Sequence, residues 1–227
     1  MAIILNIETA TTNCSVSVAK DGKVLALKEY NSASFSHAEQ LHIFIEEALK
    51  MASLTLKDIN AIAVSKGPGS YTGLRIGVSA AKGLCFSLDV PLISIATLSS
   101  LAHQTKPKKN EAVVAVLDAR RMEVYSAVFL NDFTQVKETE AKIIEETSYE
   151  DVLNTYSKVH FVGSGAEKIK NTLDAANTAY ILDAVPSAKE MCALSFIKFK
   201  NSDFEDVAYF EPYYLKDFMI VKPKVKK

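Results

Sequence analysis

The chain has 227 residues, of which 48% are hydrophobic and 23% are charged, and its formal net charge is −1. A chain of this length and composition can bury a core without disulfides, which excludes extended disorder and fibrous repeats. The near balance of acidic and basic residues also argues against a protein whose sole tight partner is duplex nucleic acid.

The three cysteines, Cys14, Cys85 and Cys192, are far apart and odd in number. They match neither a disulfide framework nor a zinc-ligand pattern, and they indicate a reducing compartment. The first residues lack the features of a signal peptide, and no apolar run approaches the roughly 18 residues that span a bilayer. We therefore expect a cytoplasmic protein without membrane contact.

The first half of the chain predicts a three-stranded antiparallel meander followed by alternating helices and strands. Ser36 is a predicted helix cap, and Glu39 completes a capping box with it. The predicted elements are strands at 3–7, 14–19 and 23–30, a helix from Ser36 to Met51, a strand at 61–65, a helix at 72–88 and a strand at 91–96. This order is typical of a ribonuclease-H-like unit.

The second half repeats the opening pattern. A buried strand ends in Asp118, as the first strand ends in Glu8, 110 residues earlier. The predicted elements are strands at 112–117, 123–130, 134–144 and 159–162 and helices near 148–156, 165–176 and 187–200. The polar, proline-marked segment 106–110 is the predicted linker, so we expect an N-terminal lobe at 1–105, a smaller lobe at 110–215 and a basic tail at 216–227. Two similar α/β halves that face a cleft are the plan of the actin-like ATPase superfamily.

Four of the eight glycines lie between residues 67 and 77, where a predicted strand meets a predicted helix. Gly67 and Gly69 flank Pro68 in a tight turn, and Ser70 or Thr72 can cap the helix that follows. Free amides at that helix terminus can hold an anion, whereas Gly73, Gly77 and Ala81 on one helical face favour close packing instead. The residues alone leave both interpretations open.

Several motifs together resemble a known family. They are 7–11 (IETAT), 14–16 (CSV), 67–77 (GPGSYTGLRIG), 96–98 (ATL), 118–120 (DAR), 123–125 (EVY), 162–165 (VGSG) and 211–215 (EPYYL). In this order they resemble the bacterial TsaB (YeaZ) family. The residues that carry the central signature are Gly67, Pro68, Gly69, Ser70, Thr72, Gly73 and Arg75.

The resemblance implies two actin-like lobes and a role without catalysis of its own in making threonylcarbamoyladenosine (t6A) at adenosine 37 of tRNA. It implies binding to a larger catalytic homologue, TsaD, and with it to an ATPase, TsaE. ATP and metal would be used by those subunits, this chain would require no cofactor, and tRNA would be contacted through the complex. Alone, the chain would be able to form a homodimer.

The sequence predicts no metal site. The resemblance points to a His-x-x-x-His pair in the catalytic homologue, and the matching stretch here, 97–101, contains no imidazole. His103 is single, and the five-residue spacing of His37 and His42 turns their side chains about 140° apart on a helix. No nucleophile elbow is present either.

The turns that would hold phosphate in an actin-like kinase, 10–13 and 119–122, contain no glycine. Side chains there crowd a phosphate that binds backbone amides. The residues of a vestigial nucleotide cleft would be Glu8, Thr9, Asp118, Arg120, Gly163 and Gly165. A stand-alone actin-like phosphotransferase, with Glu8 and Asp118 holding magnesium, is the alternative function.

Two predicted helices carry more apolar surface than one core contact needs. On the first, Ile43, Phe44 and Met51 are predicted to point away from the core, and the resemblance implies pairing through both helices. The predicted partner interface is Leu41, Ile43, Phe44, Ile45, Ala48, Met51, Gly73, Leu74, Gly77, Ala80, Ala81 and Leu84. A homodimeric interaction module is the third hypothesis, and the lysine-rich tail offers a minor contact with tRNA phosphate.

Overall fold

The structure is a computed structural model that describes residues 1–32, 37–173 and 175–216. The strands are β1 (Ile3–Glu8), β2 (Asn13–Lys20), β3 (Lys23–Asn31), β4 (Ala61–Gly67), β5 (Leu92–Ala96), β6 (Glu111–Asp118), β7 (Glu123–Phe129), β8 (Gln135–Ile143), β9 (Lys158–Val162) and β10 (Thr178–Ile181). The helices are α1 (His37–Met51), α2 (Tyr71–Leu88), α3 (Thr97–Ala102), α4 (Glu150–Thr155), α5 (Ala166–Thr172) and α6 (Ala188–Lys200).

The strands form two five-stranded sheets with the same order. The first sheet runs β3-β2-β1-β4-β5 and the second β8-β7-β6-β9-β10. In each, three antiparallel strands are followed by two strands that pair in parallel. This repeat confirms the predicted α/β fold with two ribonuclease-H-like halves.

Two elements, strand β10 and helix α3, were not predicted from the sequence. Strand β10 lies at the edge of the second sheet and has only four residues, none of which is fully buried, so it lacks the apolar run that marks the buried strands. Helix α3 has six residues and begins directly after β5. The Ser36 cap predicted for α1 lies outside the described residues, while Thr72 is exposed and the cap of α2 is Ser70.

The first sheet is covered on both faces. Helices α1 and α2 pack on one face, where Leu41, Val78 and Ala81 join the core formed with β1 and β2. Helix α6 covers the other face, where Met191 packs against apolar side chains from β1, β4 and β5. The division of the chain near residues 105–110 stays a prediction, but α6, from the second half of the sequence, completes the first half of the structure.

Helix α6 is attached to the sheet by buried hydrogen bonds as well as apolar contacts. The Ser195 hydroxyl donates to Asn6 Oδ1 at 2.7 Å, and the Ser17 hydroxyl donates to the Ala188 carbonyl at 2.8 Å. The Ala188 amide in turn donates to Ser15 Oγ at 3.0 Å. These bonds fix the position of α6 along the strands because each unpaired buried group would be costly.

Residues 203–216, here called the C-terminal strap, follow α6 and contain an isolated bridge from Glu205 to Leu92 and a turn at 207–209. The Glu205 amide donates to the Leu92 carbonyl at 2.8 Å, and Lys82 Nζ donates to the carbonyls of Ala208 and Phe210 at 3.0 and 3.1 Å. Lys216 then forms an ion pair with Glu123 on β7. The strap therefore connects α2 and β5 to the second sheet.

None of the helices in the described parts of the chain combines the length and apolar character that a bilayer crossing requires.

Candidate functional site

The glycine turn between β4 and α2 is built for close packing. The Ser70 hydroxyl accepts a hydrogen bond from the Gly73 amide at 3.2 Å and caps α2. A Cβ atom at Gly69 would lie 2.4 Å from the Ala10 carbonyl oxygen, and one at Gly73 would lie 2.1 Å from that of Thr9. The turn is therefore seated directly against the loop between β1 and β2, which supports the packing interpretation of its glycines.

The same packing changes the expected role of the small residues on α2. A Cβ atom at Gly77 would lie 2.3 Å from Thr9 Oγ1, and Ala81 is fully buried. Gly73, Gly77 and Ala81 face the interior of the chain, so their inclusion in the partner interface is wrong. They allow α2 to approach the chain's own first strand.

Glu8, at the carboxyl end of β1, is fully buried. Its Oε1 accepts hydrogen bonds from the Ala10 amide at 2.6 Å and the Ser65 hydroxyl at 2.7 Å, while its Oε2 has no hydrogen-bond partner among the described residues. Removal from water raises the pKa of Glu8 to about 7, against the lowering effect of those hydrogen bonds. Such a buried carboxyl is a poor magnesium ligand because it does not face an open cleft.

Thr9 is also fully buried, and its hydroxyl donates to the Gly73 carbonyl at 2.8 Å. Thr9 therefore holds the glycine turn. Because it is fully buried, it does not line the nucleotide cleft in which the sequence analysis had placed it.

Asp118, the corresponding acid at the end of β6, is exposed and already has partners. Its Oδ1 accepts a hydrogen bond from the Arg120 amide at 2.6 Å, and its Oδ2 lies 2.9 Å from Lys168 Nζ. Arg120 is exposed and has a φ of 70°. One carboxylate oxygen is thus bonded within the β6–β7 turn, and the other is paired with a lysine on α5.

The two glycines after β9 serve internal packing. A Cβ atom at Gly163, which has a φ of 113°, would lie 2.3 Å from the Val116 carbonyl oxygen. One at Gly165 would lie 2.9 Å from Val124 Cγ1. Close packing against β6 and β7 accounts for the small size of both residues, so contact with an adenine is not needed to explain them.

The histidines lie in separate places. His37 Nε2 is 2.7 Å from the Thr11 carbonyl oxygen, and His160 Nε2 is 2.8 Å from Glu111 Oε2. The His103 ring stacks on Phe133, with 4.0 Å between centroids, while His42 is exposed on α1. In the parts of the chain described, no three His, Cys, Asp or Glu side chains gather in a group that could hold a metal ion.

Most residues of the predicted partner interface are buried within the chain. Phe44 is only 8% exposed and belongs to the core, so the prediction that it points outward is wrong. The other buried members are Leu41, Ile45, Ala48, Gly73, Leu74, Gly77 and Ala81. Ile43, Met51, Ala80 and Leu84 keep exposed surface and are the members that a partner can contact.

An open groove of about 740 Å³ lies between α1 and α2. Ala80 and Leu84 line it, whereas Ile43 and Met51 do not. The lining residues that the prediction missed include Ala38, His42, Arg75, Ser79 and Gly83. The groove therefore lies on a different side of α1 from Ile43 and Met51, which the sequence had predicted for the partner interface.

The outward face of α2 combines small side chains with one large exposed ring. Thr72, Ser79 and Gly83 are exposed there, and a Cβ atom at Gly83 would meet no atom within 4 Å. Phe86, one turn after Lys82, is 87% exposed. The helical spacing of residues 72, 79 and 83 puts them on one side of α2. This exposed face could therefore have been recognised in the sequence once the buried face of α2 had been identified.

Arg75 connects this face to the C-terminal strap. Its guanidinium lies over the Tyr71 ring, 4.4 Å from the centroid, and the Tyr71 ring lies 4.9 Å from that of Tyr214. One edge of the groove is therefore supported by the strap.

The fold is shared with known proteins. The family model described as "TsaD: tRNA N6-adenosine threonylcarbamoyltransferase" matches residues 29–219. A TsaB protein of Escherichia coli (strain K12), named a tRNA threonylcarbamoyladenosine biosynthesis protein, is 32% identical over 222 residues, which cover 94% of each chain. The solved structure of YeaZ from Pseudomonas aeruginosa has a TM-score of 0.82 at 22% identity and covers 95% of this chain and 100% of that one.

The resemblance to the transferase itself is partial. A tRNA N6-adenosine threonylcarbamoyltransferase of Bacillus thuringiensis (strain Al Hakam) is 39% identical over 108 residues, which cover 41% of this chain and 32% of that relative.

Two repeated α/β halves, with an exposed helix pair on the first, define a protein of the actin-like, two-lobed class. Within that class, the relatives that match along nearly the whole chain carry the TsaB name. The chain belongs to the TsaB (YeaZ) family.

Proposed function

We propose that this chain is an accessory subunit in the synthesis of t6A on tRNA, and that it binds a TsaD-like catalytic homologue through the α1–α2 groove. Full-length similarity to proteins named for threonylcarbamoyladenosine biosynthesis supports the pathway. In this proposal a TsaE-like ATPase joins the pair, the partner subunits use ATP and metal, and tRNA is contacted through the complex. A homodimer through the same groove forms when the chain is alone.

The observation that carries the proposal is the outward face of α2. A glycine inside an exposed helix weakens that helix by roughly 0.5–1 kcal/mol relative to alanine, and Gly83 has no neighbour that requires its small size. A helix of another chain that packs closely against α2 would require the small size of Gly83. The exposed Phe86 ring on the same face adds apolar area that association would bury.

The alternative, a stand-alone phosphotransferase, has less support. Glu8 is buried and bonded to Ala10 and Ser65, and Asp118 is paired with Lys168. A magnesium-bound nucleotide would therefore have to reach a fully buried carboxyl at Glu8 and displace Lys168 from Asp118.

The test is the mass of the species formed when the chain is mixed with the TsaD-like homologue of the same organism, measured by light scattering. We expect a complex for the native chain and a large loss of complex for Ser79→Arg, which places a long cation in the groove. Asn154→Arg, at an exposed position on α4, is the matched control and should associate normally.

Separate species in the native mixture would contradict the proposal. Equal association of the Ser79 and Asn154 variants would contradict the placement of the interface on α2. Submillimolar ATP binding that is lost in Glu8→Ala or Asp118→Ala would instead favour the phosphotransferase.

A further inference from the structure

Arg75 brings a permanent positive charge to the α1–α2 groove. Its side chain is exposed, and its guanidinium lies over the Tyr71 ring. Among the described residues that line the groove none is acidic, and the only other basic group is His42. Within the parts of the chain that the structure describes, the guanidinium forms no ion pair. The groove therefore contains a cation without a counter-charge.

The acids around the groove do not supply that counter-charge. Helix α2 has no acidic residue along its 18 residues, so Arg75 has no carboxylate one helical turn away. On α1, Glu47 is paired with a lysine of β3, while Glu39 and Glu46 are exposed at positions that do not line the groove. Glu211 of the C-terminal strap is exposed and does not line the groove either.

A partner that closes the groove would remove this cation from water. A charge buried without a partner opposes association, whereas a carboxylate that meets a guanidinium can accept two parallel hydrogen bonds. Stacking on Tyr71, which itself packs against Tyr214, holds the guanidinium at the edge of the groove. The occupant of the groove must therefore bring an acceptor for Arg75.

We propose that Arg75 selects the occupant of the groove, a helix of the TsaD-like homologue, by pairing with an aspartate or glutamate on that helix. This inference rests on the proposed function, which places the homologue at the α1–α2 groove. The groove of a second copy of this chain offers no carboxylate from its described lining, so a homodimer lacks this pair and should be the weaker complex. Arg75 thus favours replacement of a second copy by the homologue.

The test compares Arg75→Met with Arg121→Met, which removes a guanidinium from an exposed position between β6 and β7. Each full-length variant is titrated with the TsaD-like homologue, and calorimetry gives the dissociation constant. We expect Arg75→Met to bind at least roughly thirtyfold more weakly, because the carboxylate of the homologue loses its partner, and Arg121→Met to bind like the native chain. Methionine keeps an unbranched side chain over Tyr71, and urea unfolding verifies that both variants are folded.

Charge reversal tests whether the acceptor is a carboxylate. Arg75→Glu should abolish association with the native homologue. Replacing the exposed aspartates and glutamates of the homologue by lysine, one at a time, should identify one variant that associates with the Arg75→Glu chain. If none of them does, the carboxylate contact is overturned in favour of a carbonyl acceptor.

Equal affinity of the two methionine variants for the homologue would overturn the inference and leave the proposed function intact. Light scattering of the chain alone reports the homodimer. If Arg75→Met weakens the homodimer as much as the complex, the carboxylate belongs to a second copy and its assignment to the homologue is overturned. Failure of the native chain to associate with the homologue would contradict the proposed function, and the Arg75 contact with it.

Discussion

The Tyr213 amide donates a hydrogen bond of 2.7 Å to the carbonyl oxygen of Lys66, which joins the C-terminal strap to the end of strand β4. This bond brings the Tyr213 carbonyl so close to Gly67 that a Cβ atom there would lie 2.7 Å from that oxygen. The start of the glycine turn and the strap therefore depend on one another.

Gly67→Ala should destabilise the chain by at least about 2 kcal/mol. Gly67 has a φ of 109°, which an alanine rarely adopts, and the added methyl group would meet both the strap and Leu74. Urea unfolding measures the loss. A variant as stable as the native chain would show that the strap moves aside at little cost.

Gly83→Ala should have the opposite effect on the isolated chain, raising the free energy of unfolding by roughly 0.5–1 kcal/mol, because its methyl group enters open space. It should at the same time weaken association with the TsaD-like homologue, where a close helix would meet the methyl group. Unfolding and light scattering on one preparation test both effects. Gly77→Ala, which places its methyl group against Thr9, is the contrasting variant and should lose stability.

The buried Glu8 should make stability depend on pH. Its folded-state pKa, about 7, lies above its ordinary value of about 4.5, because burial penalises the charged form. The stabilisation by the protonated carboxyl is therefore complete below pH 4.5 and is lost as the pH rises through 7, with a total of roughly 3 kcal/mol. Urea unfolding at intervals from pH 4.5 to 8 records this loss.

Glu8→Gln should remove that pH dependence, since glutamine keeps an oxygen acceptor for Ala10 and Ser65 and does not ionise. Asp118→Asn, which changes the exposed acid at the equivalent strand end, should retain it. Parallel profiles for the native chain and Glu8→Gln would mean that Glu8 is not the titrating group.

The three thiols should resist modification in the folded chain. Burial raises the pKa of Cys14 and of Cys192 to about 11 and that of Cys85 to about 12, so little reactive thiolate forms near neutral pH. A disulfide reagent at pH 8 should titrate three thiols rapidly in guanidinium chloride and react slowly with the native chain. Rapid reaction of one thiol would reveal local opening around it.

The repeat of the fold could be predicted from the sequence because its signals are local. Each buried strand is a compact apolar run, and Glu8 and Asp118 mark equivalent ends. Strand β10 could not be predicted, since its side chains are partly exposed and its place depends on pairing with β9.

The site was harder to predict because helix periodicity does not show which face is turned inward. Phe44 and Ile43 are neighbours in sequence and equally apolar, yet Phe44 is in the core and Ile43 is 49% exposed. The glycines of α2 present the same difficulty. Gly73 and Gly77 meet Thr9, whereas Gly83 meets nothing, and only the folded arrangement distinguishes these cases.

The position of α6 has a consequence for synthesis on the ribosome. The face of the first sheet that contains Ile4, Ala63 and Ile93 is covered by residues 188–200. During translation the strands of the first sheet leave the ribosome well before α6 is made. One face of that sheet therefore stays uncovered until residues 188–200 have been synthesised. We therefore expect nascent chains stalled before residue 188 to be recognised by chaperones more strongly than those released after residue 200.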